Sequence, residues 1–248
     1  MDTSKTRFTL GFTWRQPVVC AVATAACTLL AIWAVVSAPV SFVPGVSGLY
    51  IAAAVYVPLA LWFGVWGSIA GYFSCVFMCL YLGYSLDFVL VWALADFFEG
   101  AVPLLIYRRL KLKPSGLKKP KITYGLTAFL AFDVVVSAAA AIYALPEVFL
   151  LTFVAGIAVL ALQAAFEDRK TWLTWLFVGV LLASFVSGIF GVGALVAFGS
   201  VPTSAFSTVF FGWVLGDIIV LATIGTVLTI VLTPYIVKTK MYVHNFFS

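Results

Sequence analysis

The chain has 248 residues, 64% hydrophobic and 9% charged, with a mean hydropathy of +1.17 and a formal net charge of +5. A water-soluble domain carries about 25% charged residues, so this composition excludes a soluble globular fold and leaves no room for a separate soluble domain. Apolar runs of about 20 residues recur along almost the whole length, and no stretch alternates strictly enough for a β-barrel, so the expected fold is all-α: a polytopic integral membrane helical bundle of about eight transmembrane helices.

Residues 1–16 are polar, and the apolar run that follows lacks a cleavage site. It therefore reads as a retained first span, 17–38, and not as a signal peptide. Its CAVATAAC run places Ala21 and Ala25 at i and i+4. Small residues at that spacing let helices approach closely in lipid, which makes the pair a candidate docking surface, within the chain or for a partner. A short outer turn around Pro44, Gly45 and Ser47 leads to spans 47–64 and 67–85, separated only by Gly64-Val65-Trp66-Gly67, where two glycines permit a tight helical hairpin. Tyr50, Tyr56 and Trp62 add aromatic surface to the second span, and Trp62 and Trp66 near its inner end read as an interfacial belt.

The fourth span, 88–107, runs into the basic segment RRLKLKPSGLKKPK at 108–121. That segment reads as a topology anchor touching anionic lipid, with docking of a cytoplasmic partner as the other reading. Spans 123–143, 147–166, 171–197 and 206–235 follow, the last two joined by an outer turn around Ser200, Val201 and Pro202 and long enough to tilt. The chain thus reads as one membrane domain with a four-span half at 1–107, a basic cytoplasmic loop at 108–122 and a second four-span half at 123–248. Cys20, Cys27, Cys75 and Cys79 all lie in apolar segments without metal or disulfide spacing and read as small buried residues.

Charge gives an independent reading of topology, because cytoplasmic flanks carry the excess of Lys and Arg. With the N-terminus inside, the inner segments hold Lys5, Arg7 and Arg15; Arg108 through Lys121; Arg169 and Lys170; and Lys238 and Lys240, which accounts for all 14 basic residues. The outer loops hold only Asp87 and Glu147. The expectation is a multi-pass cell-membrane protein with both termini cytoplasmic. The positive charge does not indicate nucleic acid, because the basic residues flank the spans.

Four acids fall well inside the expected spans: Asp96, Glu99, Asp133 and Asp217. No Lys, Arg or His lies at comparable depth. An ionised carboxylate at the bilayer centre costs at least about 2.5–3.5 kcal/mol on insertion scales, so these groups must face the bundle interior or a wet cavity, and burial without a basic partner favours their neutral forms. Trp92, Asp96 and Glu99 stand at i, i+4 and i+7 on one helical stripe. Trp213-Val-Leu-Gly-Asp217 in the eighth span repeats Trp92-Ala-Leu-Ala-Asp96 in the fourth, as a parallel repeat in a transporter would. An aromatic face beside a carboxylate suits a cation or a polarised heterocycle. The competing reading is a tryptophan packed among neighbours with a protonated acid bonded to a carbonyl, and a proton or ion path is a third. Nothing points to an enzyme: nucleotide loops, metal-ligand clusters and a nucleophile with a base are absent, no cofactor is expected, and the only histidine, His244, lies in the C-terminal tail.

Two resemblances attach to these residues. The run SGLYIAAAVYVPLALWFGVWGSIAGYFSCVF, followed by ALADFFEGAVPLLIYRRL, resembles the substrate-binding S components of energy-coupling factor (ECF) transporters. That resemblance implies a small helical bundle that takes a vitamin or related micronutrient from outside, with a membrane coupling subunit and two cytoplasmic ATPases as partners. It also implies that Ala21 and Ala25 correspond to the small-residue patch that docks the coupling subunit. The order VSFVPGVSGLYIAAA, ADFFEGAVPLLIYRRL, SGIFGVGALVAFGS and FFGWVLGDIIVLATIGTVLTIVLTP is similar to membrane-associated sensor domains of the MASE type. Those have about eight spans and feed a cytoplasmic kinase or cyclase; with 14 residues after Pro234, the output would have to come from a partner chain. The expectation that follows is a membrane subunit binding a small molecule for micronutrient uptake with separate energising partners. A sensor module without its own output domain and a structural subunit of a larger membrane complex are the alternatives.

Overall fold

In hydrocarbon every backbone N–H and C=O must find its partner inside the chain, and a helix achieves this within a single segment. The structure, a computed structural model, describes residues 14–37, 47, 49–114, 118–143 and 145–247, with the side chains of 138, 141, 142 and 146 excepted. Lys5 and Arg7, and Pro44 and Gly45 of the first outer turn, lie outside the described residues.

The elements, all helical, are α1 (Arg15–Ser37), α2 (Ile51–Phe63), α3 (Val65–Tyr81), α4 (Leu86–Trp92), α5 (Leu94–Arg109), α6 (Pro120–Ile142), α7 (Pro146–Phe166), α8 (Arg169–Thr174), α9 (Ala183–Ala197), α10 (Phe206–Val220) and α11 (Thr226–Ile236). α4 and α5 form one span, Leu86–Arg109; α8 and α9 are joined through a π-helical stretch, Trp175–Leu182; α10 and α11 are joined through another, Leu221–Gly225. Five helices among the described residues are long and apolar enough to cross a membrane: Arg15–Ser37, Leu86–Arg109, Glu147–Phe166, Arg169–Ala197 and Thr203–Ile236. α2 and α3 are apolar but shorter. Phe132, Val135, Leu150, Leu151 and Phe211 stand 62–70% exposed, an exterior that suits lipid and not water. The chain is a membrane-embedded helical bundle.

One apolar core runs through the bundle, drawing Cys27 and Ala31 from α1, Tyr56 and Leu61 from α2, Cys79 from α3, Val192 from α9 and Val214 from α10. α3 packs between α1 and α5, and α9 packs between α5 and α10. α6 and α7 pair with each other and meet the rest mainly through α8, α11 and the second π-helical stretch.

The expected turn at residues 64–67 is tighter in the structure. α2 ends at Phe63 and α3 begins at Val65, so Gly64 alone makes the turn, at φ +65° and ψ −145°. A Cβ on Gly64 would stand 2.2 Å from the Phe246 carbonyl oxygen. Trp66 and Gly67 already belong to α3. The belt expected from Trp62 and Trp66 is corrected for Trp62, and the aromatic surface expected from Tyr56 is corrected with it. Tyr56 is fully buried and Trp62 is 2% exposed, and the Trp62 indole N–H donates to Thr233 Oγ1 at 2.9 Å. A belt residue needs the headgroup region; these two point into the bundle because their polar atoms have partners there.

The basic flanks are tied to one another. The Arg108 guanidinium donates to the carbonyls of Leu61 (2.9 Å), Val243 (2.6 Å) and Asn245 (2.7 Å). Arg15 shares a surface groove with Thr239, Lys240 and Met241. Lys118 pairs with Asp168 at 3.2 Å, while the Glu167 carboxylate accepts from the backbone N–H groups of Lys118 and Lys119 and from the Thr123 hydroxyl. The four flanks therefore meet at one end of the bundle.

Asp168 at this end caps α8, accepting from the Thr171 backbone N–H at 3.2 Å and from the Thr171 hydroxyl at 2.7 Å. These bonds, with Lys118 beside them, hold its carboxyl below the ordinary carboxylate range. A group whose folded pKa is depressed stabilises the fold above its unfolded value, about 3.9, and that contribution fades as pH falls through the lower folded value. Asp168→Asn, which keeps the cap oxygen and removes the charge, is expected to show a shallower fall of Tm than wild type as pH drops below about 4. Thermal unfolding of the detergent-solubilised pair across that window measures it; parallel curves would mean the charge contributes nothing.

Candidate functional site

The α4–α5 span and α10 carry the two expected Trp–Asp pairs, and the fold brings them face to face. The rings of Trp92 and Trp213 lie 6.0 Å apart, centroid to centroid, at 63°. Trp92, Asp96, Trp213 and Asp217 line one cavity together with Ser47, Tyr50, Cys75 and Met78. Trp92, Asp96 and Asp217 are each 2% exposed. Glu99, one turn further along α5, is fully buried and interacts with both Asp96 and Asp217. Thus five of the six expected ligand residues share one neighbourhood, built at the junction of α2, α3, α5, α9 and α10.

Small residues explain how so much polar surface fits there. A Cβ on Gly71 of α3 would come within 3.0 Å of the Tyr56 ring, and one on Gly100 of α5 within 3.0 Å of Ser68. Without those atoms α2, α3 and α5 close up, and the Tyr56 hydroxyl reaches the Glu99 carboxyl and donates to it. The Tyr50 hydroxyl donates to Asp96 Oδ2 at 2.9 Å. On the other side, Gly191 of α9 leaves the place of a side chain to the Trp213 indole; a Cβ would fall 2.6 Å from the ring. One turn back on α9, Ser187 accepts from the Trp213 indole N–H at 3.0 Å and lies beside the Asp217 carboxyl.

The hydrogen-bond accounting does not close. Trp92 Nε1, Glu99 Oε1 and Asp217 Oδ2 are buried and have no partner among the described residues. Buried polar atoms are nearly always paired, and each orphan costs about 1–3 kcal/mol. The only salt bridge among the described residues is Lys118–Asp168, far from these acids at the basic end. The site thus holds three carboxyls without a cation, one free indole donor and two aromatic walls. Its cavity is small, about 20 Å³, room for a single water. An aromatic series leads from it toward the end opposite the basic flanks: Trp92 packs on Phe88 (4.9 Å) and Tyr84 (5.7 Å), and Phe88 packs on Phe198 (5.4 Å).

Asp133 is not part of this site. It lines a separate cavity between α6, α7, the ends of α1 and α2, and the second π-helical stretch. Ala21 and Ala25 face outward on α1, in an open surface groove opposite Trp66, Phe73 and Phe77 of α3. His244 lies in the tail against Tyr242, 4.9 Å between rings. Among the described residues no group of His, Cys, Asp and Glu is arranged to hold a metal. Sequence reasoning missed the roles of Tyr50, Tyr56, Ser187 and Gly191. The i, i+4 spacing of Ser187 and Gly191, with Gly188 between them, gives α9 a small-residue face, the signal that marks a seat for a large side chain.

The Tyr56–Glu99 bond gives a direct test of how the site is held. Tyr56→Phe is expected to destabilise the protein by about 1–2 kcal/mol, because it leaves the buried Glu99 carboxyl short of a donor. Combined with Glu99→Met it should cost less than the sum of the two single changes. Chemical or thermal unfolding of the four proteins measures the cycle; strict additivity would show that the hydroxyl and carboxyl do not act on each other.

Comparison with family models, with curated proteins and with solved structures returns no match for this chain.

Proposed function

We propose that this protein is a membrane subunit that binds a small cationic or polarised heterocyclic molecule between the α4–α5 span and α10, for micronutrient uptake energised by separate membrane and cytoplasmic partners. The observation that carries the reading is the convergence of Trp92, Asp96, Trp213 and Asp217 on one cavity in which an indole N–H and a carboxylate oxygen both lack partners. A ligand that donates to Asp217, accepts from Trp92 and packs against the two indoles would supply what the protein itself leaves out. At about 20 Å³ the cavity is the closed form of the site, and ligand entry requires Trp92 and Trp213 to part. The aromatic series through Phe88, Tyr84 and Phe198 gives the route from the end opposite the basic flanks.

The topology that goes with this reading has eight crossings, with the basic end and both termini cytoplasmic. Contacts among the flanks of Arg15, Arg108, Lys118 and Lys240 support it, since segments between flanks that meet at one end cross an even number of times. Excess Lys and Arg assigns that end to the cytoplasm. A reporter inserted after Lys113 should score as cytoplasmic; external labelling there overturns the orientation and the entry route together.

The binding test is a thermal-unfolding screen of the detergent-solubilised protein against vitamins and small heterocyclic cations, repeated with Asp96→Asn and Asp217→Asn. A compound that protects wild type should need at least tenfold higher concentration in either variant. Protection unchanged in both removes these acids from the site.

A further inference from the structure

The cavity that contains Asp133 is larger than the one between the tryptophans and has a different character. It measures about 220 Å³ and shares no lining residue with the first. Its walls are apolar, with Trp33 at the rim, Phe149 and Phe153 from α7, and aliphatic side chains from α10 and the π-helical stretch after it. Trp33 is 52% exposed, so the rim is open. Set into this surface is a single carboxyl. Asp133 is 5% exposed, accepts no hydrogen bond from any described residue, and has no Lys, Arg or His among the residues that line the cavity with it.

The hydroxyls of Ser137 and Thr223 do not offer it a proton; the donors among the lining residues, Ser37 and the Trp33 indole, stand at the exposed rim. The Ser137 hydroxyl, one turn along α6, donates to Thr152 Oγ1 at 2.7 Å. The Thr223 hydroxyl donates to the Ile219 carbonyl at 2.6 Å. Both interior hydroxyl hydrogens are therefore spent, and what Ser137 and Thr223 still turn toward the cavity are oxygen lone pairs. α7 makes room for the acid with a glycine: a Cβ on Gly156 would stand 3.0 Å from Asp133 Oδ2. The cavity thus combines unspent acceptors around one carboxylate with an apolar, aromatic enclosure. Such an enclosure asks for a ligand with one positive, hydrogen-bond-donating head and a hydrocarbon body. Engineered apolar cavities of roughly 150 Å³ hold benzene, so this one accommodates an aromatic ring on a short chain ending in an ammonium.

We infer that the Asp133 cavity is a second binding site, independent of the Trp92–Asp217 site, for a lipophilic monocation of the arylalkyl-ammonium class. Asp133 neutralises the head, Ser137 and Thr223 accept from it, and Phe149, Phe153 and Trp33 enclose the ring. The lone carboxylate selects the charged head, and the apolar walls select the ring.

The test compares two molecules of the same shape on the full chain in lipid nanodiscs: N,N-dimethylphenethylamine, cationic at neutral pH, and its carbon isostere isopentylbenzene. Equilibrium dialysis should show saturable binding of the amine at least tenfold tighter than that of the isostere. Asp133→Asn should abolish the preference, whereas Asp96→Asn and Asp217→Asn should leave it intact. Equal binding of the two probes to wild type overturns the inference and marks the cavity as a seat for hydrocarbon, such as a lipid chain. A preference that survives in Asp133→Asn, or that vanishes in Asp217→Asn, overturns it as well. If Asp133→Asn does not fold, the shape-matched pair on wild type still decides the question, and the other two variants still separate this site from the first.

Discussion

Gly67→Leu is expected to prevent the bundle from assembling, and even Gly67→Ala should cost at least about 3 kcal/mol, at or beyond the upper end of what overpacking costs. The reason lies in what faces the glycine. A Cβ on Gly67 would stand 2.2 Å from the Ala60 nitrogen and 2.3 Å from the Leu59 carbonyl carbon. Those are backbone atoms of α2, and backbone cannot rotate away as a side-chain tip can, so α2 and α3 would have to separate. Separation would spread to the site, because Tyr50 precedes α2, Tyr56 lies on it, and Gly71 on α3 holds the Tyr56 ring in place. Gly212→Ala on α10 is the matched control: nothing lies within 4 Å of its added Cβ. That change should be neutral or stabilising by up to about 1 kcal/mol through helix propensity. Size-exclusion profiles and thermal unfolding in one detergent measure both. Similar profiles for the two variants would mean that the close approach of α2 and α3 is not what holds the hairpin.

The contrast between these glycines shows which parts of the structure periodicity can carry. Each expected span overlaps a helical segment, and five of the eight, from 17–38 against Arg15–Ser37 to 206–235 within Thr203–Ile236, are matched by helices long and apolar enough to cross a membrane, because apolar length is a local property of the sequence. The Trp92–Asp96–Glu99 stripe was legible for the same reason: residues at i, i+4 and i+7 share a face wherever the helix ends up. What one helix's face meets is not local. Asp133 falls inside an expected span as the other acids do, yet α6 pairs with α7 and carries it to a different cavity. Tyr56 reads as aromatic surface and Trp62 as a belt residue because the sequence does not reveal that Glu99 and Thr233 wait for their polar atoms. The π-helical stretches at Trp175 and Leu221 were likewise invisible. Each adds a residue to a turn without altering composition, and the first is tied to the residue that follows the second, the Trp175 indole N–H donating to Thr226 Oγ1 at 2.9 Å. The tail at 239–247 has no periodic pattern to read, and what places it is tertiary: its hydrogen bonds and the burial of Val243.

That tail supplies the second large effect. Arg108→Met is expected to cost about 3 kcal/mol and to release the C-terminal segment from the bundle. One guanidinium serves three carbonyls, those of Leu61, Val243 and Asn245, at 2.6–2.9 Å, and it lies 5.7 Å from the centre of the Tyr242 ring. Hydrogen bonds to a charged donor are worth about 1.5–3 kcal/mol each, and losing the donor leaves partly buried carbonyls without a partner. The same segment completes the α2–α3 turn: the Val243 N–H donates to the Trp62 carbonyl at 2.9 Å, and the Phe246 carbonyl accepts from the Val65 N–H at 2.8 Å. The carbonyls at the end of α2 and the amides at the start of α3 are thus capped from outside their own helices. Lysine cannot replace arginine here, because a point-like ammonium cannot address three divergent oxygens with the guanidinium's fixed fork. Arg108→Lys should therefore fall nearer to Arg108→Met than to wild type. Limited trypsin digestion after Lys238 and Lys240, read by mass spectrometry, should be slow in wild type and fast in both variants, with Tm falling in parallel. A tail that stays protected in Arg108→Met would show that the backbone bonds to Trp62 and Val65 hold it unaided, and that Arg108 serves the membrane flank through its charge alone.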